Sequence, residues 1–364
     1  MAESRTILGL RVGPSLDGID AALLSSDSHS PKGTYSLVGS LQRPLPETLS
    51  TDLRNGNTTD DVQRDLAEEM LAAVRSVRKL GTRPGPLSLV GVETDLPCPA
   101  QPGLAALTNE LAVPCVGGFS ASDRAVGGLG GSGALAWGVM KLLGDDRLSR
   151  VVVHLGAAAH LTFIPAEAHS GDVASFDVAP AGWWLDAACR DLLGAPFDRD
   201  GAAASRGRPV GQLVHQLLHD VWSRTEGPAR LDPRDWSQRY GPRVAMLAER
   251  EKVTGEDLLA TLVEATAAGV ASAVASLTER PHQVILAGGG ALNIHLASRI
   301  RARLSPSSTI ASDKLGIPAR SVASAAVGVL AAARLDGSCA HCPAATAAKG
   351  RAVLGTLAQP PEIY

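Results

Sequence analysis

The chain has 364 residues, more than one hydrophobic core usually serves, so its length predicts two lobes with a cleft between them. Its formal net charge of -3 comes from 34 basic and 37 acidic residues without a basic stripe, which argues against nucleic acid as a partner. The apolar stretches look shorter than the roughly 20 residues of a bilayer span, and no basic segment leads into a longer apolar one at the N-terminus, so we expect a soluble, cytoplasmic protein with no membrane partner.

The first elements along the chain predict a β-hairpin followed by a helix. Strand-like residues 6–12 and 19–24 flank the turn Gly13–Gly18, and this tight turn exposes backbone N–H groups. Apolar residues then recur at helical spacing from Asp60 to Leu80, and a buried strand is expected at 87–92. A second short apolar segment, 111–116, leads to the glycine-rich run 127–133 and a helix over 134–143.

A similar order of elements begins again after residue 150. Strands are expected at 151–155, 161–164 and 174–178, followed by a helix from Trp183 and helices near 209–224 and 256–278. The strand 284–287 then enters a glycine turn and a helix, and a last helix is expected near 320–334. We therefore predict an N-terminal lobe over 1–145, joined by a tail at about 345–364, and a C-terminal lobe over 146–344.

Five segments along the chain read GLRVGPSLDGIDAAL from Gly9, HLGAAAHLT from His154, FDVAPAGWWLD from Phe176, PFDRDG from Pro196 and AGGGALN from Ala287. In their order along the chain, from Gly9 to about Pro360, these motifs resemble those of the 1,6-anhydro-N-acetylmuramic acid kinase family. The resemblance implies an α/β protein of the two-lobed sugar-kinase and actin type, a ribonuclease H-like fold. Each lobe would be a mixed sheet flanked by helices, with the active-site cleft between the lobes.

The first motif implies a phosphate turn, since the family pattern there is GLMSGTSLDGVDAAL. Gly13, Ser15, Asp17 and Gly18 are kept and would hold the β- and γ-phosphates of ATP, with Asp17 near Mg²⁺, in part through water. Val12 and Pro14 replace the Ser and Thr of the pattern, and Pro14 removes an N–H donor.

The second half implies the catalytic base and the adenosine side. NIGGIANLT of the family becomes HLGAAAHLT, which keeps Gly156 of a second phosphate turn, and FDTGPGNxLLD places Asp177 on the family's general base. The nucleotide pattern CGGGAxN is matched by Gly288, Gly289, Gly290 and Asn293, and Asp313–Pro318 matches the next motif. The glutamate that follows in the family is Ala323 here.

The sugar side is the least similar part of the chain. The pattern DFRxxDxAxGGQGAP aligns with residues 118–132, so Asp123, Gly127 and Gly128 are the candidate substrate-binding residues, whereas Leu129 replaces the glutamine. GQTVxH aligns with VETDL from Val92, and PKSTGRE is hardly visible near 233–236. An arginine, a glutamine and a histidine that would contact sugar or phosphate are therefore absent from their expected positions.

Several residues also have simpler structural interpretations. Asp177 alone would be a strand-end aspartate capping the next helix, and three glycines at 288–290 alone would be a tight turn. The tryptophans Trp183 and Trp184 are expected in the core, with a stacking platform as the alternative. His154 and His160 lack a third metal ligand at useful spacing.

The five cysteines are odd in number and irregularly spaced, which argues against disulfides. Cys339 and Cys342 have a CxxC spacing, but the other cysteines are distant in sequence, so we expect a surface loop there, with a redox or metal role as the alternative.

Three functions remain open from the sequence. The first is an ATP-dependent kinase of this family, which opens the 1,6-anhydro ring and phosphorylates O6 in the recycling of cell-wall sugars. The second is a catalytically inactive relative that binds a ligand or partner, because replacements affect the sugar site and both phosphate turns. The third is an altered enzyme that uses Asp177 on another sugar-like substrate. The resemblance also permits a homodimer.

Overall fold

The protein forms two compact units in a computed structural model that describes residues 4–27, 34–81, 85–95, 103–221, 230, 241–253 and 255–361. The first unit comprises Met1–Gly144, Ala168–Val173 and Leu315–Tyr364, and the second comprises Asp145–Glu167 and Ala174–Lys314. The predicted α/β class, with a mixed sheet and helices in each half, is confirmed.

The first unit contains a six-stranded sheet. Its strands are β1 (Arg5–Val12), β2 (Gly18–Asp27), β3 (Thr34–Pro44), β4 (Leu87–Thr94), β5 (Cys115–Gly117) and β11 (Thr356–Ala358). Its helices are α1 (Glu47–Arg54), α2 (Asp60–Leu80), α3 (Leu104–Leu111), α4 (Phe119–Ala125), α5 (Ala136–Leu143) and α11 (Ser321–Leu335). The strand order is β11-β5-β4-β1-β2-β3, with β1, β2 and β3 antiparallel and β1, β4 and β5 parallel.

Helix α11 packs closely on this sheet because two adjacent strands carry glycine beneath it. Gly9 of β1 pairs in register with Gly91 of β4. A Cβ atom at Gly91 would lie 2.7 Å from the carbonyl oxygen of Val327, and one at Gly9 would overlap the carbonyl oxygen of Ser324. The predicted boundary placed residues 315–344 in the second lobe, whereas α11 lies in the first unit.

The second unit repeats the pattern with five strands. They are β6 (Arg150–Leu155), β7 (Ala158–Ile164), β8 (Ala174–Pro180), β9 (Gln283–Ala287) and β10 (Ser308–Ala311), in the order β10-β9-β6-β7-β8. The helices are α6 (Gly182–Leu193), α7 (Gly211–Gln216), α8 (Gly241–Arg250), α9 (Gly255–Ala275) and α10 (Ile294–Leu304). Strands β6, β7 and β8 are antiparallel, and β9 and β10 run parallel to β6.

Helix α9 corrects one expectation from composition. By length and apolar character it would suffice to cross a membrane, so the expectation that every apolar stretch is shorter than a span was wrong. Most of its apolar window is buried within the protein, however, and residues such as Leu259 and Val270 lie in the core of the second unit. The helix is apolar because it is surrounded by other elements of its own unit.

The element boundaries follow the predictions most closely where periodicity is strong. Helix α2 spans the predicted residues 60–80, and the predicted hairpin is formed by β1 and β2. The segment 111–116 instead divides into the end of α3 and the short strand β5, because Ala112 adopts a left-handed conformation with φ of 50°. The helix expected from 134 begins as a 3-10 turn, Gly131–Leu135, before α5.

Candidate functional site

The turn between β1 and β2 holds Asp17 in a network of side chains. Its Oδ1 accepts a hydrogen bond from Ser15 Oγ at 2.5 Å, and its Oδ2 accepts one from Gln42 Nε2 at 3.0 Å. Arg320 Nη1, from the residue before α11, lies 3.3 Å from the same Oδ2. The Asp17 side chain remains half exposed, so solvent or a ligand can reach this carboxylate.

A second carboxylate lies behind this turn. Asp20 is opposite Arg11 in the β1–β2 register, and its Oδ1 is buried without a hydrogen-bond partner among the described residues. Burial raises the pKa of Asp20 to about 7, with a further contribution from the negative charge of Asp17. A buried, unpaired carboxylate oxygen of this kind is costly unless a proton or a cation accompanies it.

The two predicted glycines of the turn differ in the space around them. A Cβ atom at Gly13 would meet nothing within 4 Å, whereas one at Gly18 would lie 2.7 Å from the carbonyl oxygen of Arg43. The turn closes through a hydrogen bond of 3.1 Å from Leu16 N to Gly13 O. Gly18 is therefore required by strand pairing, and the backbone at Gly13 is the accessible part of the turn.

Asp123, a predicted substrate-binding residue, is fully buried. Its Oδ1 accepts hydrogen bonds from His341 Nε2 at 2.7 Å and Thr346 Oγ1 at 2.6 Å, and its Oδ2 accepts one from Gly130 N at 2.8 Å. Burial alone would raise the pKa of Asp123, but these hydrogen bonds hold the pKa of this carboxyl group below its usual value. The expected direct contact is therefore corrected, because this carboxylate is used to hold a loop.

That loop contains the predicted glycines Gly127 and Gly128. Gly127 has φ of 86°, a conformation that favours glycine, and a Cβ atom at Gly128 would overlap the carboxylate of Asp123. Leu129 N donates to Thr346 O at 2.9 Å, and Lys349 N donates to Val126 O at 3.0 Å. The C-terminal segment thus fixes the backbone of the loop.

Buried ionisable side chains lie near the ends of β1 and β4, and the end of β4 aligns with the family pattern GQTVxH. Arg11 Nη2 lies 2.9 Å from Asp95 Oδ2 and 3.3 Å from Ser132 Oγ, and both charged side chains are about 5% exposed. Glu93 accepts hydrogen bonds from the backbone N–H groups of Phe119 and Ser120, at 2.8 and 3.2 Å.

Burial raises the pKa of Glu93 to about 7, and the negative charge of Asp95 raises this pKa further. The family patterns have neutral residues at these three positions. Arg11 stands in place of Met, Glu93 in place of Gln, and Asp95 in place of Val.

In the second unit, Asp177 lies on β8 and contacts a histidine. Its Oδ1 lies 2.7 Å from His160 Nδ1, and His160 Nε2 lies 2.6 Å from Ser175 Oγ. The side chains of His160 and Asp177 are 8% and 10% exposed. The N-cap residue of α6 is Ala181, whose side chain makes no cap hydrogen bond.

The turn that contains Gly156 is bound to the start of α6. Gly182 N donates to Gly156 O at 2.9 Å, and both Ala181 N and Trp183 N donate to Ala157 O at 3.0 Å. The carbonyl groups of the turn therefore satisfy the first N–H groups of the helix, which would otherwise lack partners.

The glycines of the predicted nucleotide motif follow β9. Gly288 has φ of 82°, and a Cβ atom there would lie 2.6 Å from Leu155 O, while one at Gly290 would lie 2.9 Å from Leu155 Cβ. Gly289 begins the 3-10 turn between β9 and α10. Asn293 caps α10, with its Oδ1 accepting from Leu296 N at 2.9 Å. Close packing and capping thus explain part of this motif.

The remaining candidates have structural roles in the described residues. Trp184 is 1% exposed and donates through Nε1 to Thr266 Oγ1 at 2.9 Å, so the expected core position is confirmed. Both ring nitrogens of His160 have partners, and the described residues contain no group of three or more potential metal ligands. Cys342 is buried, and burial raises the pKa of its thiol to about 12, which corrects the expected surface loop.

The structure thus groups the predicted residues into sets. Gly13, Ser15, Asp17 and Gly18 share one turn of the first unit, and Asp123, Gly127 and Gly128 share one loop of that unit. Gly156 ends β6 beside Gly288 and Gly290, which pack on Leu155. The segment 233–236 lies outside the described residues.

Four contacts in the site were not predicted from the sequence. They involve Arg11, Asp20, His160 and Arg320. The antiparallel register would have paired Arg11 with Asp20, but no local signal indicated the partner of Arg320.

Comparison with known proteins gives a consistent result over the whole chain. The model of the family described as anhydro-N-acetylmuramic acid kinase matches residues 96–360. A protein of that name from Salinibacter ruber is 31% identical over 385 aligned positions, covering 98% of this chain and 96% of that protein. One from Xanthomonas axonopodis pv. citri is 29% identical, and the alignment covers 98% of each chain.

Solved structures are more distant. The activator of the 2-hydroxyisocaproyl-CoA dehydratase from Clostridium difficile with bound ADPNP has a TM-score of 0.47 at 13% identity, covering 90% of this chain and 94% of that chain. A ROK family glucokinase from Streptomyces griseus in complex with glucose and AMPPNP has a TM-score of 0.42 at 14% identity, covering 90% and 99%.

Proposed function

This chain belongs to the anhydro-N-acetylmuramic acid kinase family, and on that premise we propose that it transfers the γ-phosphoryl group of ATP to O6 of 1,6-anhydro-N-acetylmuramic acid while water opens the anhydro ring. The observation that carries the proposal is the position of Asp177. This carboxylate lies on the family's general-base position and is oriented by a hydrogen bond to His160. A general base needs such a defined orientation.

Besides the proton transfer to Asp177, the reaction we propose breaks two bonds between heavy atoms and forms two. Asp177 takes a proton from water as the water oxygen bonds to C1, and the bond between C1 and O6 breaks. O6 bonds to the γ-phosphorus, whose bond to the bridging oxygen of ADP breaks, so the products are ADP and the 6-phosphorylated open sugar. The chemistry requires both substrates together, because the leaving O6 is the phosphoryl acceptor.

The turn at Asp17 supports ATP with Mg²⁺ as the phosphoryl donor. Mg²⁺ in kinases is held by one or two carboxylates together with phosphate oxygens and water. Asp17 is half exposed, and the unpaired Oδ1 of Asp20 lies behind it, so these two carboxylates fit a divalent cation. The cation would offset the negative charge of the phosphates, and Arg320 adds a positive charge beside the same turn.

For the nucleotide and sugar we propose backbone contacts in place of the lost side chains. Gly13 has open space around its Cα, and Pro14 provides no N–H, so the donors in this turn are reduced to its remaining residues. Gly289 and Gly290 would line the adenosine side, and Gly156 would belong to the second phosphate turn. Gly127 and Gly128 would contact the sugar, with Asp123 holding their backbone.

A coupled assay tests this function. Calorimetry with ATP and Mg²⁺ would be followed by measurement of ADP release with and without anhydro-N-acetylmuramic acid. We expect ADP release only when the sugar is present, in a 1:1 ratio to the 6-phosphorylated product. Binding of ATP without turnover would indicate an inactive relative, and turnover with a different sugar only would indicate an altered enzyme. No nucleotide binding would exclude the proposal.

We also expect a soluble cytoplasmic protein, because its substrates would be cytoplasmic metabolites. A homodimer stays a prediction, and sedimentation of the full chain would test it.

A further inference from the structure

Two exposed cationic side chains, Arg124 and Lys349, lie against the candidate substrate loop, residues 127–131. Arg124 belongs to the last turn of α4, and Lys349 belongs to the C-terminal segment that holds the loop. Neither has an ion pair among the residues that the structure describes. We propose that Arg124 and Lys349 bind the carboxylate of an acidic anhydro sugar and so select substrates by charge. This inference rests on the proposed function, since it concerns the sugar site of that reaction.

The backbone of the loop cannot supply the donors for such an anion. Each N–H group from Gly127 to Gly131 already donates within the protein, and the acceptors, in chain order, are Arg124 O, Asp123 O, Thr346 O, Asp123 Oδ2 and Ser120 Oγ. An anionic ligand therefore needs donors from side chains, and charged donors bind a carboxylate most strongly. The contacts proposed above for Gly127 and Gly128 are then made by their carbonyl groups, which accept from sugar hydroxyls.

The arginine of the pattern DFRxxDxAxGGQGAP is serine at position 120. Ser120 is buried, and its Oγ accepts a hydrogen bond of 3.1 Å from Gly131 N, so this side chain holds the loop. Arg124 lies four residues further along α4, at a position that the pattern leaves open. Residues four apart lie on the same face of a helix. A guanidinium is therefore present on this face, one turn beyond its place in the pattern.

The loop glycines leave room for both cationic side chains. A Cβ atom at Gly130 would lie 2.5 Å from Arg124 Nη1, and one at Gly127 would lie 3.2 Å from Lys349 Cγ. Lys349 N donates to Val126 O at 3.0 Å, so the backbone fixes where the lysine crosses the loop. Gly127 and Gly130 are three residues apart, and their Cα atoms are therefore at most about 11 Å from each other. One sugar acid can span this distance.

Positive charge exceeds negative charge at the loop. Among the described residues, Asp123 is the carboxylate that hydrogen-bonds to residues 127–131, and it is fully buried beneath them. Its oxygens accept from His341, Thr346 and Gly130. The two cations lie on the exposed side, where a ligand can reach them. An exposed surface with an excess of positive charge attracts an anionic substrate.

An apolar side chain lies between the two cations along the loop. Leu129 is 38% exposed and stands in place of the glutamine of the pattern. The proposed substrate, a muramic acid, carries its carboxylate on a lactyl ether, in which a methyl group is bonded to the same carbon atom. Cations on either side of a leucine match a carboxylate next to a methyl group. A neutral anhydro sugar without the lactyl group would use neither feature.

Calorimetric titration of the full-length chain tests the inference without turnover. The two ligands are 1,6-anhydro-N-acetylmuramic acid and its methyl ester, which lacks the negative charge. Lys349→Met and Arg124→Met should each raise the Kd of the acid by roughly three- to tenfold and leave the Kd of the ester unchanged, as expected for partly exposed charge pairs. Added salt should weaken binding of the acid alone. Lys79→Met and Arg78→Met, at exposed positions of α2, are the matched controls and should bind both ligands as the wild type does.

Three calorimetric results would overturn the inference. They are equal affinity of the wild type for acid and ester, an unchanged Kd of the acid in both loop variants, and failure of both ligands to bind. A loss of affinity for ATP with Mg²⁺ in place of the sugar acid would also overturn it, because the cations would then bind phosphate.

Kinetics separates this inference from the proposed function. Lys349→Met and Arg124→Met should raise KM for the acid with little change in kcat, because the carboxylate is remote from C1 and O6 and is bound equally in the ground and transition states. A wild type that prefers the acid to the ester but releases no ADP would exclude the proposed phosphoryl transfer and leave the carboxylate site standing. ADP release at the same KM with acid and ester would exclude the carboxylate site and leave the transfer standing.

Discussion

The opening hairpins of the two units have the same strand pairing but place their polar groups differently. In the β1–β2 hairpin, the turn itself carries the half-exposed Asp17, and Arg11 and Asp20 lie opposite each other in the strand register behind it. In the β6–β7 hairpin, the turn carbonyls of Gly156 and Ala157 bind the start of α6, and the polar groups lie on the strands. The first hairpin thus presents a carboxylate at its turn, and the second presents one from the face of the sheet.

This difference indicates how the protein compensates for the altered turns. Where Pro14 removes an N–H donor, side chains such as Arg320 and Gln42 surround Asp17. Where small alanines replace the polar turn of the second hairpin, His160 on the strand supports Asp177. Substitutions can therefore separate the phosphate role proposed for the first unit from the base role proposed for the second.

The largest effect is expected at the base. Asp177→Asn should lower kcat by roughly 10²–10⁴-fold, because the amide cannot accept the proton of the attacking water. ATP binding by calorimetry should change little, since the first hairpin is intact. A variant that turns over normally would exclude Asp177 as the base. Asp172→Asn is the matched control, because that residue belongs to the first unit and is half exposed.

The second effect is expected at the phosphate turn. Asp17→Asn should lower kcat by about 10²-fold and raise the Mg²⁺ concentration needed for half-maximal activity, since it removes a carboxylate charge from the cation. The measurement is a Mg²⁺ titration of ADP release in the presence of sugar. Asp61→Asn, on the exposed face of α2, should behave as the wild type. An unchanged Mg²⁺ requirement for Asp17→Asn would contradict the assignment.

The third prediction concerns stability in the first unit. Arg11→Met or Asp95→Val alone should lower the free energy of unfolding by about 3–5 kcal/mol, because each removes one charge of a buried ion pair. Urea denaturation of the double variant, which restores the Met and Val of the family patterns, should recover most of that loss. Additive losses in the double variant would show that the two residues do not depend on each other.

The smallest effect is a pH dependence at Glu93. Its pKa is raised from 4.5 to about 7, so the native state binds its proton more tightly than the unfolded chain. The resulting stability is fully present below pH 4.5 and is lost as the pH rises through about 7, with a slope of at most about 1.4 kcal/mol per pH unit. Asp20 contributes in the same direction, because its pKa is also raised to about 7.

Denaturation across this pH range measures the effect. Glu93→Gln should flatten the slope between pH 4.5 and 7, whereas the exposed Glu110→Gln should leave it unchanged. An identical slope in wild type and Glu93→Gln would show that another group binds the proton.

Much of the architecture was predictable from local patterns. The helical period of α2 and the turn residues between β1 and β2 predicted those elements because backbone geometry depends on neighbouring residues. The repeated hairpin also predicted that the chain has two similar halves. Prediction failed at Ala112, where a left-handed residue ends α3, because nothing in the local sequence requires that conformation.

The candidate site was predictable only in its residue types. The motif order identified Asp17 and Asp177, but it assigned substrate contact to Asp123, which tertiary packing buries under His341 and Thr346. These partners lie more than 200 residues away along the chain, so no periodicity connects them.

The sequence by itself determined the family, the two mixed sheets and the positions of the two aspartates, because these follow from motifs and short-range periodicity. Only the tertiary structure decided the charge environment of each aspartate. Arg320 reaches Asp17 from the other end of the chain, and a bulge in β8 sets Asp177 against His160. The physical reason is that the charge state of a carboxylate depends on groups within a few ångströms in space, whatever their distance in sequence.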